Sequence, residues 1–203
     1  MRDRFIKGRR EFLAAGLVAL PLLKVGACEA AESCRPTARG AGGPYYRKGA
    51  PWTARLCGAE EPGTPLVVEG RVTAADTCRP LEGAVVEVFQ ANDAGLYDVQ
   101  MPGHRPDLFR LRGQLRADAA GRYRFETVLP GNYTDGIARA RHIHYVVSAP
   151  GYRPLVTECY FKGEPRNETD RLVRPELIIA LDESTRDRRK QLAATFDLVL
   201  AKA

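Results

Sequence analysis

Histidine is scarce in this chain. His104, His142 and His144 are the only three in 203 residues. The five cysteines form no Cys-x-x-Cys pair, which argues against a zinc ribbon or a thioredoxin-type site. The apolar run from Phe12 to Leu23 stops short of the roughly 20 residues that cross a bilayer. No window repeats at a solenoid or propeller period, and low-complexity tracts are absent. Helical periodicity is nearly missing too, with one short stretch at Asp187–Ala194. Nor is there a strong excess of one charge. The net charge is +6, of which residues 1–27 carry +4, leaving +2 for the remainder. Arg186, Arg188, Arg189 and Lys190 are interleaved with Asp182, Glu183 and Asp187. That pattern reads as a solvated surface rather than a phosphate-binding face, so no nucleic-acid partner is expected.

What is present begins with an address. A basic start leads to Arg9-Arg10-Glu11-Phe12-Leu13, then the apolar run, then small and polar residues. This order fits a signal peptide, and the paired arginines followed by x-Phe-Leu fit a twin-arginine export signal. Cleavage is expected near Gly26-Ala27 or Ala30-Ala31, which places the mature protein outside the cytoplasm with no stable membrane insertion. Val25-Gly26-Ala27-Cys28 faintly matches a lipidation box, but Lys24 argues against an anchor at Cys28. Beyond it lie Cys34, Cys57, Cys78 and Cys159. An even count in an exported chain suggests disulfides in one of three pairings, and free buried thiols are the alternative, above all for Cys159 in its apolar run.

The expected organisation is an export signal over 1–30, an extended Gly/Pro-rich arm over 31–65 and a β domain over 66–203. Strands are expected at Leu66–Val72, Ala84–Gln90, Leu108–Ala117, Gly121–Val128, His142–Ala149, Leu155–Phe161, Glu176–Leu181 and Phe196–Leu200. In Arg122-Tyr123-Arg124-Phe125 the aromatics take one face and the arginines the other. Asp118-Ala119-Ala120-Gly121 reads as a turn. Short strands at this spacing imply an all-β antiparallel sandwich, with Asp187–Ala194 as one short C-terminal helix.

The chemistry gathers at His142-Ile143-His144. Residues i and i+2 of a strand share a face, so both imidazoles project together and can share one metal ion. Two turns end nearby strands and carry a phenol each: Gln90-Ala91-Asn92-Asp93-Ala94-Gly95-Leu96-Tyr97 and Pro130-Gly131-Asn132-Tyr133. Taken singly, each tyrosine reads better as a packing residue that caps the sandwich. No 2-His-1-carboxylate pattern is evident, which weakens an Fe(II) oxygenase reading.

Val85–Tyr97, Gly121–Phe125, Pro130–Tyr133, Arg139–His144 and Leu155–Phe161, with Gly43-Pro44-Tyr45 in the arm, together resemble the intradiol ring-cleavage dioxygenases, which act on catechol and protocatechuate. The resemblance runs from about Cys34 to the C-terminus. It implies a non-haem Fe(III) cofactor held by Tyr97, Tyr133, His142 and His144, with Tyr133 and His144 axial. It also implies Arg139 beside the substrate, and a Tyr133 that leaves the metal and takes up a catechol proton. The substrates would be a catechol and O2, and the product a cis,cis-muconate-type dicarboxylate. Phenolate is a hard anionic donor that suits Fe(III), and two phenolates with a hydroxide neutralise its charge.

The chain departs from the family at Thr157-Glu158-Cys159-Tyr160-Phe161, where Glu158 stands in place of a neutral amide. Glu158 is expected to act in the site by pairing with Arg139 or by reading a different substrate. An ion pair with Arg141 is the alternative. The turn between Tyr133 and His142 is also shorter than in protocatechuate enzymes. No helical domain precedes the sandwich, which points to small exported relatives, and homo- or hetero-oligomerisation is left open. The competing function is a non-catalytic transthyretin-like or carboxypeptidase-regulatory-like binding module, suggested by Gly70-Arg71-Val72 and Pro80–Val86. Such modules lack the two tyrosines and the His-x-His.

Overall fold

The computed structural model describes residues 35–133, 138–186 and 189–203. The export signal, with Arg9, Arg10 and Cys28, and also Cys34, lies outside the described residues.

Among the described residues there are ten strands: β1 (Pro65–Ala74), β2 (Val85–Gln90), β3 (Arg112–Arg116), β4 (Arg122–Val128), β5 (His142–Ser148), β6 (Leu155–Phe161), β7 (Ile178–Ile179), β8 (Asp182–Arg186), β9 (Arg189–Thr195) and β10 (Leu198–Leu200). One sheet runs β3-β2-β5-β6-β7. In the other, β1 is flanked by β4 on one edge and by β9 and then β10 on the opposite edge, with β8 outermost. The main core lies between them, where Val68, Val72, Tyr123 and Phe125 of one sheet meet Val86, Val88, Ile143, Tyr145 and Val147 of the other. Among the described residues, no helix is long and apolar enough to cross a membrane.

Three expectations need correction. The sheets are mixed rather than antiparallel, because β1 pairs in parallel with both β9 and β10, and β6 with β7. Those strands return by long connections, so no hairpin dictates their direction. The stretch read as a C-terminal helix is strand β9 from Arg189 onward; Asp187 and Arg188 lie outside the described residues. Its helix-forming residues are overridden by the ladder Leu66↔Leu192 to Glu69↔Thr195 and by burial of Ala194. Two strands are also shorter than expected: Leu111 adopts a positive φ ahead of Arg112, and Pro175–Leu177 make a 3-10 turn ahead of Ile178.

The cysteines divide between the two readings. Cys78 is disulfide-bonded, whereas Cys57 and Cys159 are free. Cys159 is buried opposite Ile143, with its thiol against Tyr145, and burial pushes its pKa up to about 12. It packs as a small apolar residue.

Candidate metal centre and substrate site

The outer face of the β2-β5-β6 sheet carries the site. Cross-strand partners share a face, so the register Phe89↔His144, His144↔Glu158 and His142↔Tyr160 puts all five side chains on one surface, while Ile143 and Tyr145 turn into the core. Phe89 stacks on the His144 ring with centroids 4.4 Å apart and planes 13° from parallel.

Two turns bring the phenols. The Asn92 carboxamide accepts from the Ala94 and Leu96 backbone N–H groups, and the Gly131 N–H donates to the Asn92 carbonyl. The turns pack backbone to backbone. A Cβ at Gly95 would lie 2.1 Å from the Asn132 carbonyl oxygen, and one at Gly131 the same distance from that of Asp93. No other residue fits at either place. Tyr97 and Tyr133 are thereby aimed at the histidines, with rings edge to face at 5.5 Å.

The arm closes the site. Gly40 donates its N–H to the Val156 carbonyl, and the Thr157 hydroxyl donates to the Ala38 carbonyl. Gly43 has φ +65°, and a Cβ there would stand 2.9 Å from His144 Cε1 and 3.0 Å from Nε2. The arm then delivers Tyr45, which stacks on Tyr97 at 4.4 Å. The Tyr45 hydroxyl accepts from Tyr133 Oη at 2.8 Å and from Gln100 Nε2 at 3.2 Å.

At the centre, His142 Nε2 and His144 Nε2 are 3.0 Å apart, and Tyr97 Oη is 3.2 Å from the first and 3.0 Å from the second. Burial lowers the pKa of both imidazoles, His144 well below its usual value, and raises that of the Tyr97 phenol. His142 Nδ1 lies 2.6 Å from the Ala140 carbonyl oxygen, so it carries the proton and Nε2 keeps its lone pair. His144 Nδ1 lies 3.3 Å from Glu158 Oε2 without a hydrogen bond between them, and both atoms are buried. Two ring nitrogens and a phenol oxygen thus face one point from close range, and the phenol proton can satisfy only one contact. A cation would satisfy all three. Donor atoms about 2.1 Å from a common ion and at right angles to one another are about 3.0 Å apart, so the spacing fits. The residues present therefore fit a metal ion, with the outer ring nitrogens backed by a carbonyl and a carboxylate as metal-bound histidines usually are. Glu158 also lies close to both histidines, within 4.8 Å. It faces Nδ1 of His144, on the far side of that ring from the converging Nε2 atoms, so this is no 2-His-1-carboxylate face.

Arg139 is buried beside this centre. Its Nε donates to Asp170 Oδ2 at 2.8 Å, and its Nη2 to Tyr160 Oη at 2.8 Å and Glu158 Oε1 at 3.2 Å. Glu158 therefore pairs with Arg139 and not with Arg141, which pairs with Glu164. His104 is exposed on the surface. Sequence reasoning missed Tyr45 as a wall of the site, although Gly43-Pro44-Tyr45 had been singled out. It also missed Tyr160, although that residue lies two positions from Glu158 on the same strand face, and Asp170, which carries no local signal.

A family model described as Dioxygenase matches residues 41–202. The chain belongs to the intradiol ring-cleavage dioxygenases. Catechol 1,2-dioxygenase 2 of Acinetobacter lwoffii is 39% identical over 144 residues, 61% of this chain and 50% of that protein. The protocatechuate 3,4-dioxygenase beta chain of Burkholderia cepacia is 35% identical, covering 68% of this chain and 65% of its own length. Among solved structures, 3-chlorocatechol 1,2-dioxygenase of Rhodococcus opacus superposes with a TM-score of 0.78 at 26% identity, over 86% of this chain and 76% of that one. This dioxygenase-family chain thus spans half the length of its catechol relative and about two thirds of the protocatechuate one.

Proposed function

We propose that this chain is a non-haem Fe(III) intradiol dioxygenase that opens a catechol ring with O2, between the two hydroxylated carbons, to a cis,cis-muconate-type dicarboxylate. The observation that carries the reading is the convergence of His142 Nε2, His144 Nε2 and Tyr97 Oη within 3.0 to 3.2 Å of one another, with a second phenol, Tyr133, on the same wall. The named activities of the relatives support it. The binding-module alternative offers no reason for this cluster.

Tyr97, Tyr133, His142 and His144 would hold the ion, which when bound supplies Lewis-acid activation of the chelated catechol. The rest falls to the side chains. Tyr97 contributes an anionic oxygen once its proton is displaced, and the two imidazoles stay neutral because burial disfavours their charged forms. The Tyr133 oxygen is held by Tyr45, and as a phenolate, its own proton displaced when the ion is bound, it would be placed to take up a catechol proton. Arg139 presents a guanidinium fixed by Asp170, Tyr160 and Glu158 beside the site, and the two carboxylates damp the positive charge it can offer to the ring. The arm from Gly40 to Tyr45 keeps water from the inner side of the histidines.

We also propose export by the twin-arginine route, which moves folded proteins and suits a metal acquired before transport. The disulfide at Cys78 supports an oxidising destination.

The test is the visible absorption spectrum of the purified protein, before and after anaerobic addition of catechol. A tyrosinate-to-iron band that shifts on addition is expected. A colourless protein that takes up no iron on reconstitution would overturn the reading.

A further inference from the structure

Family membership leaves the ring substituents open, because the relatives are named for catechol and for protocatechuate, rings without and with a carboxylate. The side chains around Arg139 decide between them. Glu158 Oε1 accepts from Arg139 Nη2 at 3.2 Å, from Tyr160 Oη at 2.5 Å and from the Ala41 N–H at 3.3 Å. Its Oε2 stands 3.3 Å from His144 Nδ1. All three hydrogen bonds of Oε1 are to protein, whereas Oε2 is buried with no hydrogen-bond partner among the described residues.

Asp170 takes the other side of the same guanidinium, and its Oδ2 also accepts from the Ala140 N–H. Arg139, Glu158 and Asp170 are 5%, 0% and 6% exposed, so one buried cation is enclosed by two buried anions. Arg141 is already paired with Glu164. The opposite wall, behind Phe89 and Tyr97, holds the reverse arrangement, with Asp98 between Arg112 and Arg47. Among the described residues, the cluster of Arg139, Glu158 and Asp170 by itself sums to one negative charge in a buried region, where like charges repel strongly.

We propose that Glu158 is a specificity-determining residue: by completing the neutralisation of Arg139 it restricts the site to catechols whose ring carries no anionic substituent. This rests on the intradiol reading above. A ring carboxylate approaching Arg139 would be stripped of water and would meet a guanidinium with two anions already bound. With a neutral amide at position 158, the cluster has no net charge and an Nη2–H becomes available to a substrate carboxylate.

The test uses the iron-loaded full chain and its E158Q variant, titrated anaerobically with catechol and with protocatechuate by absorbance and calorimetry, then assayed for kcat/KM in air. The wild type should bind catechol at least about 30-fold more tightly than protocatechuate, and E158Q should shrink that ratio about 10-fold, the equivalent of about 1.4 kcal/mol. A merely structural role for Glu158 would weaken both ligands alike and leave the ratio where it was. A wild-type ratio near one overturns the proposal, as does an unchanged ratio in iron-loaded E158Q. Should E158Q fail to retain iron, the wild-type ratio decides alone: large upholds the proposal, near one overturns it. If the wild type binds and turns over neither compound, the dioxygenase reading itself has failed and takes the proposal with it.

Discussion

Gly43→Ala probes the contact between the arm and the metal centre. Gly43 sits at φ +65°, a left-handed conformation that costs an alanine about 1–2 kcal/mol. The added Cβ would lie 2.9 Å from His144 Cε1 and 3.0 Å from Nε2, well inside the roughly 3.5–4.0 Å at which carbon contacts become favourable. The ring cannot retreat, because Phe89 stacks on it at 4.4 Å. The arm must lift instead, at an overpacking cost of about 1–3 kcal/mol. Gly49→Ala is the control: φ there is +91°, and nothing lies within 4 Å of the new Cβ. It incurs the backbone strain alone. At about 2–4 °C per kcal/mol for a chain of this size, G43A should melt about 2–12 °C below G49A. It should also lose iron, since the methyl presses on the nitrogen that would bind it. Equal melting temperatures and equal iron content in the two variants would refute the docking of the arm on His144.

Tyr133→Phe removes the hydroxyl donated to Tyr45; it should cost about 1 kcal/mol of stability, retain iron and shift the visible band, and an unshifted band would remove Tyr133 from the ligand set. His144→Ala should purify without iron, as measured by elemental analysis; full occupancy would sink the assignment. Asp170 governs acid stability. Burial pushes its carboxyl up, but the Arg139 hydrogen bond and the Leu172 and Ala140 N–H groups outweigh it and hold the pKa below the usual range. A depressed folded pKa means that the stabilisation is present above the unfolded value, about 3.9, and is lost as pH falls through the folded one. In urea denaturation Asp170→Asn should be about 3 kcal/mol less stable than wild type at pH 7, with the gap closing as pH falls below about 4; a gap constant with pH would refute the linkage.

Much of the site was legible because it rests on local rules. Two-residue periodicity places His142 and His144 on one face and Ile143 in the core. Glycine and asparagine mark the turns that carry Tyr97 and Tyr133, and the Tyr123/Phe125 alternation marks a strand with one buried face. The helix expected at Asp187–Ala194 failed because helix-forming residues describe a local preference, and strand pairing with β1, more than 120 residues earlier, outweighs it.

The sequence by itself therefore determined most of the strands, β8 and β9 excepted, the shared face of the histidines and the chemical kind of each donor, since these follow from neighbours along the chain. Only the tertiary structure decided which distant groups meet them. Tyr45 reaches Tyr133 across 88 positions, Ala41 reaches Glu158 across 117, and Arg139 takes Asp170 and Glu158 rather than leaving Glu158 to Arg141. Those pairings depend on how two sheets and an arm pack in space, and no spacing within a single segment encodes them.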